Sequence, residues 1–181
     1  MTAGASRSHT ALVTEGSRGI GAAIVRSLAQ TGAAVAVNYR ERTSEANALV
    51  NASGDSGGRT AAIAADVLQS DTVAQMVQRV KSDLGPIEIL LDNAGIAITW
   101  GIEDLSETHF DRTIALNLKS VFLCAVMAHS TIRAGERRAS QQQRIHRRTA
   151  RHGAPGPSTS DPFYEVYLSD DVAGAVRERT Y

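Results

Sequence analysis

The chain has 181 residues, 43% hydrophobic and 21% charged, with 19 basic residues balancing 19 acidic ones. Such a composition excludes disorder throughout and suits one globular unit with a buried core. The single cysteine, Cys124, excludes an internal disulfide and a cysteine-rich zinc site, so no metal is implied and a reducing compartment fits.

Met1–His9 lacks the apolar stretch of a secretory signal, and no later segment approaches the ~20 apolar residues of a membrane helix. A cytoplasmic location without a membrane partner is therefore expected. Thr10–Thr14 is a short apolar run of strand type, and Gly19–Gln30 follows with Ile20, Ala23, Ile24, Ser27 and Leu28 at helical spacing. Thr31-Gly32 ends that helix. Ala33–Val37 is a second unbroken apolar run, the pattern of a parallel strand buried on both faces. Ser44–Ala52 reads as a helix closed by the turn-rich stretch at 53–58, and Thr60–Ala64 as a third strand.

Ser70 or Asp71 opens the next helix, which places Val73, Met76, Val77 and Val80 on one face and stops at Gly85-Pro86. Ile87–Leu91 is the fourth strand, Asp92-Asn93-Ala94-Gly95 a turn, and Ser106-Glu107-Thr108-His109 the start of a long helix reaching about Ser130. Cys124 lies in that helix with no cation nearby in sequence, so it is expected to be a small core hydrophobe. Strands alternating with helices predict an α/β, Rossmann-like, doubly wound parallel sheet of about four strands, with ligands at the carboxyl ends of the strands.

Beyond Ser130 the pattern stops. Between His129 and Ser160 the large aliphatic residues are Ile132 and Ile145 alone, set among seven arginines and the run Gly153-Ala154-Pro155-Gly156-Pro157. No strand is legible there. Asp161–Leu168 reads as a short strand or turn and Asp170–Arg179 as a weak helix. The expected organisation is a nucleotide-binding domain over 1–130 and an Arg-rich, poorly ordered, irregular tail over 131–181, because so few apolar side chains cannot offset ~1–2 kcal/mol per residue of backbone entropy.

The first strand-to-helix turn reads Thr14-Glu15-Gly16-Ser17-Arg18-Gly19-Ile20-Gly21. A glycine-rich turn opening a helix directs backbone N–H groups and the positive end of the helix dipole at a diphosphate. The second strand leads into Asn38-Tyr39-Arg40, with no aspartate at the point where an acid would accept from a free ribose 2′-hydroxyl. Arginine pairs with phosphate, so Arg18 and Arg40 favour NADP(H) over NAD.

These motifs, in this order, resemble the short-chain dehydrogenase/reductase family over residues 9–127, particularly its 3-oxoacyl-carrier-protein reductase and glucose dehydrogenase branch. The resemblance implies that Thr14, Gly19 and Gly21 bind diphosphate, with Ser17, Arg18 and Ile20 in the same turn and Tyr39 beside Arg40. It implies that Asp66-Val67 meets adenine, that Asn93-Ala94-Gly95 matches the family's Asn-Asn-Ala-Gly with Asp92 for its first asparagine, and that Asn117 is the catalytic asparagine of a proton relay.

Two departures oppose activity. Glu15 stands where the family has a glycine, bringing a carboxylate towards the diphosphate. The family's serine and Tyr-x-x-x-Lys, which protonate the developing alkoxide, have no counterpart: the lysines are Lys81 and Lys119, and Leu168 and Asp171 lie four residues after Tyr164 and Tyr167. A truncated, catalytically inactive relative that retains at most nucleotide binding is expected, and a shift of reading frame shortly after Ser130 would produce such a loss of pattern. The alternatives are an active carbonyl reductase with a rebuilt site, and a nucleic-acid arm at Arg133–Arg151, against which stands its lack of stacking aromatics. Self-association is expected through an unpaired edge at Ile87–Leu91 and through Val121, Phe122, Val126 and Met127.

Overall fold

Four apolar runs bounded by turns form parallel strands in the computed structural model, which describes residues 9–54, 58–97 and 102–129 and the backbone of strands at 138–143 and 164–169. The strands β1 (Thr10–Val13), β2 (Ala34–Tyr39), β3 (Thr60–Ala64) and β4 (Ile89–Asp92) lie in the order β3-β2-β1-β4. Leu12 pairs with Ala36 on one side and Leu90 on the other. Strand β2 runs two residues past the apolar stretch because Asn38 and Tyr39 continue the ladder to Ile63 and Ala64.

Helices α1 (Gly19–Gln30), α2 (Thr43–Gly54) and α3 (Ser70–Asp83) connect these strands. Alternation along each strand sends side chains to opposite faces. Leu12 and Leu90 join Met76, Val77 and Val80 of α3 in one core, while Val13, Val35, Val37 and Ile89 meet Val25 and Leu49 of α1 and α2 in the other. Each fully buried side chain of this kind contributes about 1.5–3 kcal/mol. The α3 face matches its periodicity, whereas α1 buries Gly21, Ala22, Val25 and Ala29 and leaves Ile20 exposed. The tight packing of Gly21 into the preceding turn sets that phase.

The long helix begins with a capping box, in which Ser106 Oγ accepts from the His109 N–H and His109 Nδ1 accepts from the Ser106 N–H. It runs as α4 (Glu107–Ile114), a π-helical turn (Ala115–Lys119) and α5 (Ser120–His129). Cys124 is fully buried in the first core, as its apolar setting predicts. Among the described residues no helix is long and apolar enough to cross a membrane.

The sheet extends beyond its four parallel strands. Strand β6 (Tyr164–Ser169) pairs antiparallel with β4, matching Leu90 with Tyr167 and Asp92 with Glu165, and β5 (Arg138–Gln143) pairs antiparallel with β6. The expectation of no strand between His129 and Ser160 is thus corrected by β5, and the expected unpaired edge of β4 is covered. Backbone N–H and C=O groups complete a ladder whatever the side chains, so a polar segment such as Arg138–Gln143 carries no periodic signal of its strand. The rest of the expected irregular tail, and the weak helix over Asp170–Arg179, lie outside the described residues.

Candidate nucleotide site

The order β3-β2-β1-β4 reverses direction at β1, and crevices beyond the carboxyl ends of strands at such a reversal receive ligands. Every expected site residue before Asn117 follows one of these four strand ends: 14–21 after β1, 39–40 at the end of β2, 66–67 after β3 and 93–95 after β4.

The turn after β1 is held by groups far away in sequence. Thr14 Oγ1 accepts from the N–H groups of Asn93 and Ala94 at 2.9 and 3.0 Å and donates to Leu91 O at 3.3 Å. Asn93 Nδ2 donates to the carbonyls of Thr14 and Glu15 at 3.0 and 3.2 Å. From the other side, Asn38 Oδ1 accepts from the Glu15 N–H at 3.2 Å, its Nδ2 donates to Ala65 O at 3.0 Å, and its carbonyl accepts from the Gly16 N–H at 2.9 Å. Asn38 is only 1% exposed, and it ties the ends of β1, β2 and β3 together. It was not among the residues singled out by motif. The available signal was an asparagine directly following an unbroken apolar run.

Two glycines of the turn have different jobs. A Cβ on Gly21 would sit 2.6 Å from Glu15 O and 2.7 Å from Asn93 Nδ2, so only glycine lets the turn fold onto the helix. Gly19 has φ +53° and nothing within 4 Å of a Cβ position, which leaves open space over the start of α1. No side chain caps α1 and its first turn has no acid, so its N-terminal N–H groups suit an anion. Glu15 adopts φ +46°, the left-handed conformation for which glycine is favoured.

Beside the turn lies a pocket of ≈ 150 Å³ lined by Glu15, Ser17, Arg18, Tyr39, Arg40, Glu41 and Arg42. Its lining includes both Arg18 and Arg40, and adds Arg42. Asp66 accepts from the Leu68 N–H at 3.0 Å and so shapes the turn into α3, with Val67 buried. Asn117 lies in the π turn, a feature found often at functional sites. Its Oδ1 accepts from the Ile96 N–H and its Nδ2 donates to Ile96 O, both at 2.8 Å, so it grips the segment that follows Gly95.

The family model described as short chain dehydrogenase matches residues 9–139. The chain belongs to the short-chain dehydrogenase family. It is 36% identical over 125 residues to an uncharacterized oxidoreductase of Methylorubrum extorquens, covering 69% of this chain and 50% of that relative. A 3-oxoacyl-acyl-carrier-protein reductase of Staphylococcus epidermidis is 40% identical over 115 residues, covering 64% and 47%. A Burkholderia cenocepacia short chain dehydrogenase in complex with NADP aligns with TM-score 0.65 and 38% identity, over 68% of this chain and 50% of that one. The chain spans about half the length of the curated relatives it matches.

The short-chain dehydrogenases are oxidoreductases that work with nicotinamide cofactors, and the residues present fit one in most respects: an uncapped helix start, open space at Gly19 and a basic pocket beside them. Glu15 is the discordant element. The buried thiol of Cys124 takes no part, because burial foremost, and then the charge of Asp92, push it well above the usual thiol range.

Proposed function

We propose that this short-chain dehydrogenase chain binds NADP(H), with the adenosine phosphate in the pocket of Arg18, Arg40 and Arg42. The convergence of these three arginines beside an uncapped helix start is the observation that carries the reading. In it, Ser17, Gly19, Ile20 and Gly21 present the turn to the diphosphate, Thr14 and Asn93 hold that turn in shape, and Tyr39 borders the ribose. Asp66-Val67 lies at the adenine side and Ala94-Gly95 at the nicotinamide side. A bound nicotinamide supplies the hydride of the family's carbonyl–alcohol chemistry.

The 181 residues by themselves hold the nucleotide without turnover. Neither Lys81 nor Lys119 stands four residues after a tyrosine. Positioned proton transfer is worth about 10²–10⁴ in rate. Asn117, with both amide ends engaged by Ile96, acts as a positioning residue for the chain after β4 and does not replace the missing donor. A lone, buried thiol fits a reducing compartment such as the cytoplasm.

The chain also self-associates in this reading. Phe110, Ile114, Leu118, Phe122 and Val126 recur every fourth residue along α4 and α5, each between 40% and 64% exposed. Met127, expected in that face from sequence, packs on the core instead.

A fluorescence titration of the 181-residue chain with NADPH and NADH tests the first claim. NADPH should bind more tightly, and Arg40→Asp should reverse the order; equal affinities for the parent chain would refute the choice of cofactor. Incubation with NADPH and an acetoacetyl thioester should show background oxidation only. Steady oxidation abolished by Tyr164→Phe or Tyr167→Phe would refute the claim of inactivity.

A further inference from the structure

Two of the three arginines in the pocket already hold carboxylates close to them in sequence. Arg40 presents both Nε and Nη2 to Glu41 Oε1, at 3.0 and 2.7 Å. Arg42 Nη1 donates to Glu45 Oε1 at 3.1 Å, and the Glu45 carboxyl lies below its usual range through its own backbone N–H, then the Ser44 hydroxyl and Arg42. Arg18 enters no ion pair among the described residues. Glu15 and Glu41 also line the pocket, so a cluster of three guanidinium groups contains two carboxylates as well.

We propose that Glu41 is a built-in competitor for the phosphate on Arg40 and is the residue that limits discrimination between 2′-phosphorylated and 2′-hydroxyl nucleotides. This inference rests on the nucleotide reading above and deepens it. The Nε–Nη2 edge of a guanidinium is a bidentate fork for phosphate oxygens. In this protein Glu41 occupies that edge. An arriving 2′-phosphate therefore displaces the carboxylate or takes the remaining edge with the carboxylate left nearby on the same guanidinium.

Either route penalises a dianion and leaves a 2′-hydroxyl unaffected, since a hydroxyl donates to a carboxylate without charge repulsion. The pair itself is exposed, 53% on Arg40 and 74% on Glu41, and an exposed ion pair breaks easily. Glu41 thus weakens phosphate binding without abolishing it. Two charges against one across roughly 10 Å of water weaken binding about fourfold and the broken pair about twofold to threefold more, so the whole is about a tenfold change in affinity at low salt, fading as the Debye length falls to about 8 Å near 0.15 M.

Isothermal titration of the full 181-residue chain with adenosine 2′,5′-bisphosphate and with 5′-ADP tests the inference. Glu41→Gln should bind the 2′,5′-bisphosphate about tenfold more tightly at low salt and change 5′-ADP binding less than about twofold. Glu41→Ala, which cannot hold Arg40 at all, should give the same shift. In an Arg40→Ala background the gain should shrink to about fourfold, the through-water repulsion alone, because the rest is competition for Arg40; an undiminished tenfold gain there would overturn the inference. Tight binding of the 2′,5′-bisphosphate to the parent with no gain in either Glu41 variant would overturn the inference and leave the nucleotide reading standing. No binding of either nucleotide to any of these proteins would overturn both.

Discussion

Replacing Glu15 by glycine separates backbone strain from charge at the turn after β1. Glu15 sits at φ +46°, held there by the Asn38 Oδ1 that accepts from its N–H and by the Asn93 Nδ2 that donates to its carbonyl. Both bonds involve its backbone and survive substitution. A side chain in the left-handed region costs about 1–2 kcal/mol, and glycine gives back about 0.5–1 kcal/mol through its greater freedom in the unfolded chain. Glu15→Gly should therefore stabilise the fold by about 0.5–1 kcal/mol, a rise in Tm of about 1–4 °C for a chain of this size. Glu15→Gln keeps the Cβ and removes the charge, so its Tm should stay within about 1 °C of the parent. Both should bind NADPH about tenfold more tightly at low salt, because each removes a carboxylate a few ångströms from the expected diphosphate. Thermal melts by circular dichroism and fluorescence titrations read the two effects. Stabilisation by glutamine equal to that by glycine, or destabilisation by glycine, would refute the strain argument.

Asn38→Ala removes a buried acceptor and donor that join three strand ends, so urea unfolding should show a loss of about 2–4 kcal/mol; a loss under about 0.5 kcal/mol would show the clip to be dispensable. The raised Cys124 pKa makes the neutral thiol the folded-state form. Its contribution is fully present below the ordinary thiol value of about 8.5 and is lost as pH rises beyond it, by about 1.4 kcal/mol per unit. Unfolding midpoints from pH 7 to 10 should show this extra decline in the parent and lack it in Cys124→Ala; identical slopes would contradict it. Leu118→Glu and Phe122→Glu place charges in the exposed apolar row and should shift sedimentation towards monomer, whereas a parent that sediments as monomer at all concentrations would remove the case for self-association.

The four parallel strands, the three connecting helices and the glycine turn were legible in the sequence because their signals are local. Apolar runs of strand length, the 3.6-residue period of Val73, Met76, Val77 and Val80, and breakers such as Gly85-Pro86 depend on neighbours a few residues apart. The convergence of Arg18 and Arg40 was legible too, since the strand–helix alternation puts both turns at one edge of the sheet. What remained hidden depends on partners distant in sequence. Thr14 and Asn93 lie 79 positions apart and Asn38 and Ala65 lie 27 apart, yet each pair satisfies buried polar groups that nothing local could satisfy. The same holds for the phase of α1, set by the packing of Gly21 against the turn, and for the β4–β6 pairing, made by backbone groups common to all residues. Tertiary structure alone decided that Asn38 and Asn93 hold the backbone of Glu15 at a positive φ and that Glu41 rests on Arg40. A one-dimensional pattern records which residues are apolar and how often they recur, but not the backbone angle a distant hydrogen bond imposes or the edge of a guanidinium that is already taken.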